Sequence, residues 1–282
     1  MEFVPPQWRR STLDRSDTSG AIAEAEEVEV VKTVGEPPCL VCDPFQAKTV
    51  REKYRNLRRW YEAEAASTPG FEQNIGHWGV SYDQYVNGFV ADVVEGMQLQ
   101  PNDAVFESAV GAGWLLRGLR QLLPLSIGDT LKLCGNDIIP MALDFAERGL
   151  QSSVAPAPVL CLGDSANLTT WVPAAAFDAV LCGYTEPGAD GEDWTGNWVR
   201  QMAWCAKPGG LIFVGNNRMP TPNPRPGQSA GGLPMSWWVE QAESNAFGWD
   251  VDPSSVRFTP LKCALLEEKW GARYAVYMRR RS

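Results

Sequence analysis

Hydrophobic and polar positions change rhythm near residue 100 of this chain. Beyond "LQPND", short apolar runs alternate with stretches of helical period: "AVFESA" then "GWLLRGLRQLL"; "TLKLCGND" then "PMALDFAERGL"; "PVLCLGD"; "FDAVLCGY" then "TGNWVRQMAWCA"; and "GLIFVGN". Short apolar runs suit buried strands, and three- and four-residue spacing suits helices packed by one face. Their alternation predicts a mostly parallel sheet covered by helices on both faces. The end of the chain differs. "SSVRFTPLKCALLEEKW" and "ARYAVYMRRR" read as two strands in a hairpin-like finish, which puts an antiparallel strand into that sheet.

Upstream of the change, residues 1–45 mix Pro, Ser, Thr and acids with little periodicity and are expected to form a disordered acidic tail. Residues 46–95 are expected to form a helical cap. "QAKTVREKYRNLRRWYEAEAAS" supplies one helix, and "YDQYVNGFVADVVEGM" a second whose apolar face is Tyr85, Phe89, Val90 and Val93. Between them "FEQNIGHWGVS" reads as a loop with candidate functional residues. The α/β domain is then 96–282.

Charge and cysteines narrow the function classes. The net charge is −9; residues 1–36 hold eight acids against four bases, which leaves −5 for the remainder. Long-range attraction to nucleic acid phosphate is therefore not expected. No apolar run is long enough for a membrane span and the N-terminus lacks a signal-peptide core, so a cytoplasmic location is expected. Seven cysteines, most of them inside apolar runs, read as buried thiols in a reducing compartment. Cys39 and Cys42 form a lone CxxC, taken as a chance pair with a redox pair as the alternative. A zinc site lacks further ligands, since the one histidine, His77, is far along the chain. The closing "RRRS" is read as a solvated basic end.

Candidate chemistry centres on "ESAVGAGWLLRG", a strand running into a glycine turn and a helix. A dinucleotide turn needs G-x-G-x-x-G, and Leu116 stands where the third glycine would be. A kinase-like phosphate loop needs Gly-Lys-Ser/Thr, which does not follow.

The turn instead resembles the first motif of the class I S-adenosylmethionine-dependent methyltransferases, and four later segments match in order. "CGNDIIPMALDFAERG" is similar to the second-strand end and following helix, and "CLGDSANL" to the segment after the third strand. "FDAVLCGY" is similar to the fourth strand and "CAKPGGLIFVGN" to the turn into the fifth. The resemblance covers about residues 96–282. It implies a Rossmann-like, mostly parallel seven-stranded sheet with an antiparallel C-terminal strand, an N-terminal helical cap, and S-adenosylmethionine as cofactor.

The resemblance also implies site roles. Glu107 would help hold the methionine ammonium, with Gly111 and Gly113 admitting the amino-acid arm. Asp137 would take the ribose hydroxyls with Ile138 beside it, and Asp164 and Ser165 the adenine. Cys182, at the end of the fourth strand, and Tyr82 complete the cofactor set. Asp137 and Asp164 also read as ordinary turn residues, since Asp is common where chains change direction. Ala109 departs from the motif, where many relatives carry glycine; at positive φ it costs about 1 kcal/mol, at negative φ almost nothing.

His77 is the candidate general base, needed only for an acceptor that arrives protonated, with a structural hydrogen bond as the plainer reading. Tyr184 and Glu186, after the fourth strand, are candidate acceptor contacts. The Asn-Pro-Pro-Tyr-like tetrapeptide of methyltransferases acting on adenine or glutamine is absent. Trp194, Trp198, Trp237 and Trp238 are expected around active-face insertions, most of them for packing. "NNRMPTPNPRPGQSAGGLPMS" reads as a lid or a passive insertion. The expected function is methyl transfer to an oxygen or nitrogen of a small molecule. A non-catalytic binding or scaffold protein and an NAD(P)-dependent oxidoreductase are the alternatives.

Overall fold

The computed structural model describes residues 80–183, 192–219, 232–262 and 272–282, together with Arg59 and Ala63. The chain divides into two compact units, Met1–Ala63 and Glu64–Ser282, and every element named below belongs to the second. The expected tail, the first cap helix apart from the helical Arg59 and Ala63, the Cys39–Cys42 pair, His77, Tyr184 and Glu186 lie outside the described residues, as does most of the proline-rich stretch.

The second unit is built on one seven-stranded sheet of order β3-β2-β1-β4-β5-β7-β6. Its strands are β1 (Ala104–Ser108), β2 (Lys132–Asp137), β3 (Val159–Leu162), β4 (Phe177–Cys182), β5 (Ala206–Arg218), β6 (Arg257–Pro260) and β7 (Arg273–Arg279). Strands β1 to β5 pair in parallel, and β7 is antiparallel to both β5 and β6. The inner strands β1 and β4 are apolar on both faces and almost wholly buried, as strands with helices above and below require.

The segment Tyr82–Met97 is helical throughout: α1 (Tyr82–Tyr85), a π-helical turn (Val86–Val90) and α2 (Ala91–Met97). Ser81 opens it with a capping box, accepting from the Gln84 amide while the Gln84 side chain accepts from its own. Its buried face is the expected Tyr85, Phe89, Val90 and Val93, extended by Val86 and Met97. Phe89 packs on Phe213 of β5, which packs on Tyr277 of β7, and the Tyr277 hydroxyl donates to the Val93 carbonyl. This segment shares one sheet face with α3 (Trp114–Leu122) and α5 (Pro140–Leu150); the four-residue α4 (Leu125–Gly128) follows α3.

The other face carries α6 (Glu192–Cys205) and α7 (Met235–Ser244). Strand alternation puts Tyr274 on the face opposite Tyr277, where its hydroxyl accepts from the Trp238 indole at 2.9 Å. The sequence pattern does not distinguish α7, because "PMSWWVEQAES" follows a proline- and glycine-rich stretch. Trp237 and Trp238, expected near an active-face insertion, are buried under α7 against Phe247 and Trp249. They are core.

The basic C-terminus is only in part a solvated end: Arg281 and Ser282 are exposed, yet each guanidinium there also bonds backbone. Arg279 donates to the Gly209 carbonyl, Arg280 to that of Ala206, and Arg281 to that of Val251. Each guanidinium satisfies backbone oxygen at the edge of the sheet where the parallel strands begin. The described cysteines behave as expected. Cys134, Cys161, Cys182 and Cys205 form no disulfide, and burial pushes the Cys134 and Cys205 thiols up to about 12.

Candidate functional site

Buried polar residues gather at the opposite edge, where the parallel strands end. Glu107 and Ser108 close β1, Asn136 and Asp137 close β2, Ser165 follows β3, and Asn216 and Asn217 lie near the end of β5. Arg273 joins them because β7 runs the other way and starts at this edge. Open parallel sheets bind ligands at the carboxyl ends of their strands.

The glycine turn sits at the centre. Ala109, Gly111 and Gly113 have φ of 58°, 53° and 75°, so three of five consecutive residues adopt the left-handed conformation. Ala109 therefore occupies the costly case, at about 1 kcal/mol relative to glycine. The two glycines differ in use. A Cβ on Gly111 would meet nothing within 4 Å, which leaves backbone open to a ligand. A Cβ on Gly113 would stand 3.1 Å from the Ala146 Cβ and 3.2 Å from Leu150, so this glycine brings α3 close against α5.

Asp137 holds the turn in place. Its carboxylate accepts from the Gly111 amide at 2.9 Å and the Ile139 amide at 3.0 Å. Burial pushes its carboxyl up to about 6, against the pull of these amides and that of Ile138. Each oxygen keeps a lone pair beyond those bonds. Asp164 caps the 3-10 turn Ser165–Thr170, accepting from the Ala166 amide and the Asn167 side chain. Ser165 is buried and accepts from Asn136 at 3.0 Å. Asp137 and Asp164 thus do what turn carboxylates do, at the edge where the resemblance places them.

Glu107 is the exception among these acids. It is 3% exposed, and its Oε2 has no hydrogen-bond partner. Burial holds its carboxyl well above the usual range, with the neighbouring Asp137 adding to the shift against the Leu116 amide. A buried carboxylate oxygen without a partner is costly, and a cation reaching it would offset that cost. The space beside it is kept by a residue the motif did not reveal. A Cβ on Gly183 would stand 2.9 Å from Glu107 Oε1, 2.9 Å from Leu115 and 3.3 Å from the Tyr85 hydroxyl.

Tyr85 therefore reaches this edge, whereas Tyr82 turns away. The Tyr82 ring lies edge-on to Trp114 and under the Arg117 guanidinium, and its hydroxyl donates to Gln121 along α3. Cys182 is buried at the end of β4. Trp198 of α6 donates to Ser108 at 2.9 Å and packs edge-on with the half-buried Trp194. Among the described residues no cluster could hold a metal.

No protein-family model and no curated protein matches the sequence. Solved structures do. Magnesium protoporphyrin IX methyltransferase from Synechocystis, solved with bound S-adenosylmethionine, is similar over 80% of this chain and 96% of its own, at 14% identity and a TM-score of 0.53. The chain carries the class I methyltransferase fold. A chain of the Haloferax volcanii complex containing the Trm112 methyltransferase activator is similar over 79% of this chain and 98% of its own, at 14% identity and a TM-score of 0.54. The [4+2]-cyclase SpnF is similar over 81% and 96%, at 14% identity and a TM-score of 0.51. One methyltransferase fold thus carries more than one reaction, and the chemistry has to be argued from the site.

Proposed function

We propose that the protein binds S-adenosylmethionine and transfers its methyl group to an oxygen or nitrogen of a small molecule. The observation that carries this reading is Glu107, whose unpartnered and buried Oε2 stands beside an open glycine turn at the ligand-binding edge of the sheet. A buried acceptor of this kind fits an ammonium group, which the cofactor's methionine arm presents.

The residues present fit the rest of the cofactor. Gly111 would admit the amino-acid arm, Asp137 would offer its remaining lone pairs to the ribose hydroxyls, and Ile138, Asp164 and Ser165 would border the adenine. Cys182, buried at the end of β4, would lie beside them. Gly113 contributes indirectly, by setting how closely α3 sits on α5, and Ala109 by shaping the turn. Tyr82 drops out of the set, since its hydroxyl is engaged by Gln121.

When bound, S-adenosylmethionine supplies a methyl group already activated on a sulfonium. The protein's own task is alignment and exclusion of water. Gly183 keeps room next to Glu107, and Tyr85 and Leu115 wall that space. His77 is proposed as the base for a protonated acceptor and Tyr184 as an acceptor contact.

A second reading, a binding protein that kept the fold without catalysis, is favoured by Ala109 alone, which retains the turn at a cost. Calorimetric titration with S-adenosylhomocysteine, beside Glu107→Gln and an NAD control, separates the possibilities. Micromolar binding lost in the variant, with no NAD binding, supports the cofactor reading. Binding of NAD alone overturns it, and so does a folded protein that binds neither. Cofactor binding without methyl transfer to any of a panel of small acceptors supports the non-catalytic reading.

A further inference from the structure

Glu107 is not the only unsatisfied group at the carboxyl edge. Asn216 and Asn217, at the end of β5, are each 1% exposed. They occupy an irregularity in the β5–β7 pairing, between Val214 and Asn217, where Asn216 takes a left-handed φ of 56°. The hydrogen bonds around them fix which way each amide faces. Asn217 donates through Nδ2 to the Val214 and Tyr274 carbonyls, which fills the break in the ladder. Asn216 accepts through Oδ1 from Arg273 at 3.1 Å, and its main-chain carbonyl accepts from the same guanidinium at 3.2 Å.

With Oδ1 held by Arg273, the Asn216 Nδ2 group faces elsewhere, and it has no partner. Leaving such a buried donor unpaired is costly, because its hydration is lost with nothing in return. The left-handed backbone adds to the cost, although Asn tolerates it better than most residues. Unpaired buried groups on a strained backbone gather where a ligand completes them.

The position says which ligand. Cys182 pairs with Val214, so Gly183 and Gly215 are neighbours at the ends of β4 and β5. A Cβ on Gly215 would stand 2.6 Å from the Gly183 carbonyl and 2.6 Å from Phe89. Asn216 is thus the next residue along the edge from the space beside Glu107, on the side away from β2 and the glycine turn. A cofactor seated over β1 and β2 leaves this side for the second substrate.

We propose that Asn216 is a specificity-determining residue, and that the molecule bound beside the cofactor carries an sp² oxygen, carboxylate or carbonyl, which accepts the Nδ2 hydrogen bond. This rests on the methyltransferase reading of the same edge. Arg273 acts through Asn216, fixing the amide so that a donor and not an acceptor is presented.

Asn216→Asp is the decisive variant. It keeps the left-handed tolerance and the Arg273 bond, and exchanges only the open N–H donor for an oxygen. Ligand-observed NMR with benzoate, benzamide and benzylamine as probes, run with S-adenosylhomocysteine present and absent, reads the preference. Benzoate and benzamide are expected to bind and benzylamine not. Asn216→Asp is expected to weaken both at least tenfold while S-adenosylhomocysteine affinity stays within twofold. Tighter binding of benzoate than of benzamide to the parent protein would identify a carboxylate as the native group; tighter binding of benzamide would identify a carbonyl. The proposal is overturned if benzylamine binds best, if neither oxygen-bearing probe binds, or if the variant binds them unchanged. Failure of S-adenosylhomocysteine to bind would remove the cofactor reading, and the probe measurements without it would still read Asn216.

Discussion

Ala109 holds a left-handed backbone that glycine would adopt without strain, and it sits two residues from the open Gly111. Ala109→Gly is therefore expected to stabilise the protein by about 1 kcal/mol, less what the freer unfolded chain recovers. Urea unfolding measures it, and an unchanged or lower midpoint would mean the turn is already relaxed around alanine. Glu107 makes a sharper case. Its carboxyl is held up by burial, and a bound ammonium favours the ionised form, so cation binding must release a proton. Affinity for S-adenosylhomocysteine is expected to rise with pH above the ordinary carboxylate range, and the titration heat to depend on the buffer's ionisation enthalpy. Glu107→Gln should flatten both dependences. The motif names Glu107, Asp137 and Asp164 because their spacing follows from the strands. It does not reveal that one of them, Glu107, keeps a carboxylate oxygen without a partner. That difference depends on side-chain direction across the sheet edge, which sequence spacing does not encode. Tyr82 illustrates the same limit: one helical turn separates it from Tyr85, and only Tyr85 faces Gly183.

At the scale of elements, alternation of short apolar runs with helical stretches was enough to place β1 to β5, and α5 follows the pattern from end to end. Two elements escaped. The helix α7 begins directly after a run of prolines and glycines, and its tryptophans serve burial against Phe247 and Trp249 without a regular polar face. The π-helical turn at Val86–Val90 leaves no sequence mark, because its residues are those of any buried helix. The Trp198–Ser108 hydrogen bond ties α6 to the end of β1, which makes it a link between the two sides of the proposed site. Trp198→Phe keeps most of the ring contact and strips the indole N–H from a buried hydroxyl. It is expected to cost about 1–2 kcal/mol in thermal or urea unfolding. A loss under a few tenths would show that water replaces the indole.

Across the molecule, the two edges of the sheet use charge differently. The guanidiniums of Arg279, Arg280 and Arg281 bond backbone carbonyls at the edge where the parallel strands begin, while Glu107 and Asp137 are buried where they end. This second edge makes stability depend on pH. Asp137 is raised to about 6 in the folded protein, from roughly 4 in an unfolded chain. Its contribution is full below about 4 and is lost as pH rises through 6, by up to about 3 kcal/mol. Measured against Asp137→Asn at each pH, the parent protein should therefore lose ground between pH of about 4 and 7. A constant difference would mean that the amide bonds, and not burial, govern this carboxyl. No described helix is long and apolar enough to cross a membrane.

The strand order has a consequence for biosynthesis. β7 is the last of these seven strands in chain order, and it lies between β5 and β6. Until residues 273–279 emerge, Leu211, Ile212, Phe213 and Val214 form an open apolar strand edge, and β6 has nothing to join. An unpaired edge of that kind recruits other chains. A nascent chain stalled before residue 273 should therefore engage chaperones or aggregate, and emergence of residues 273–279 should close the sheet in one step.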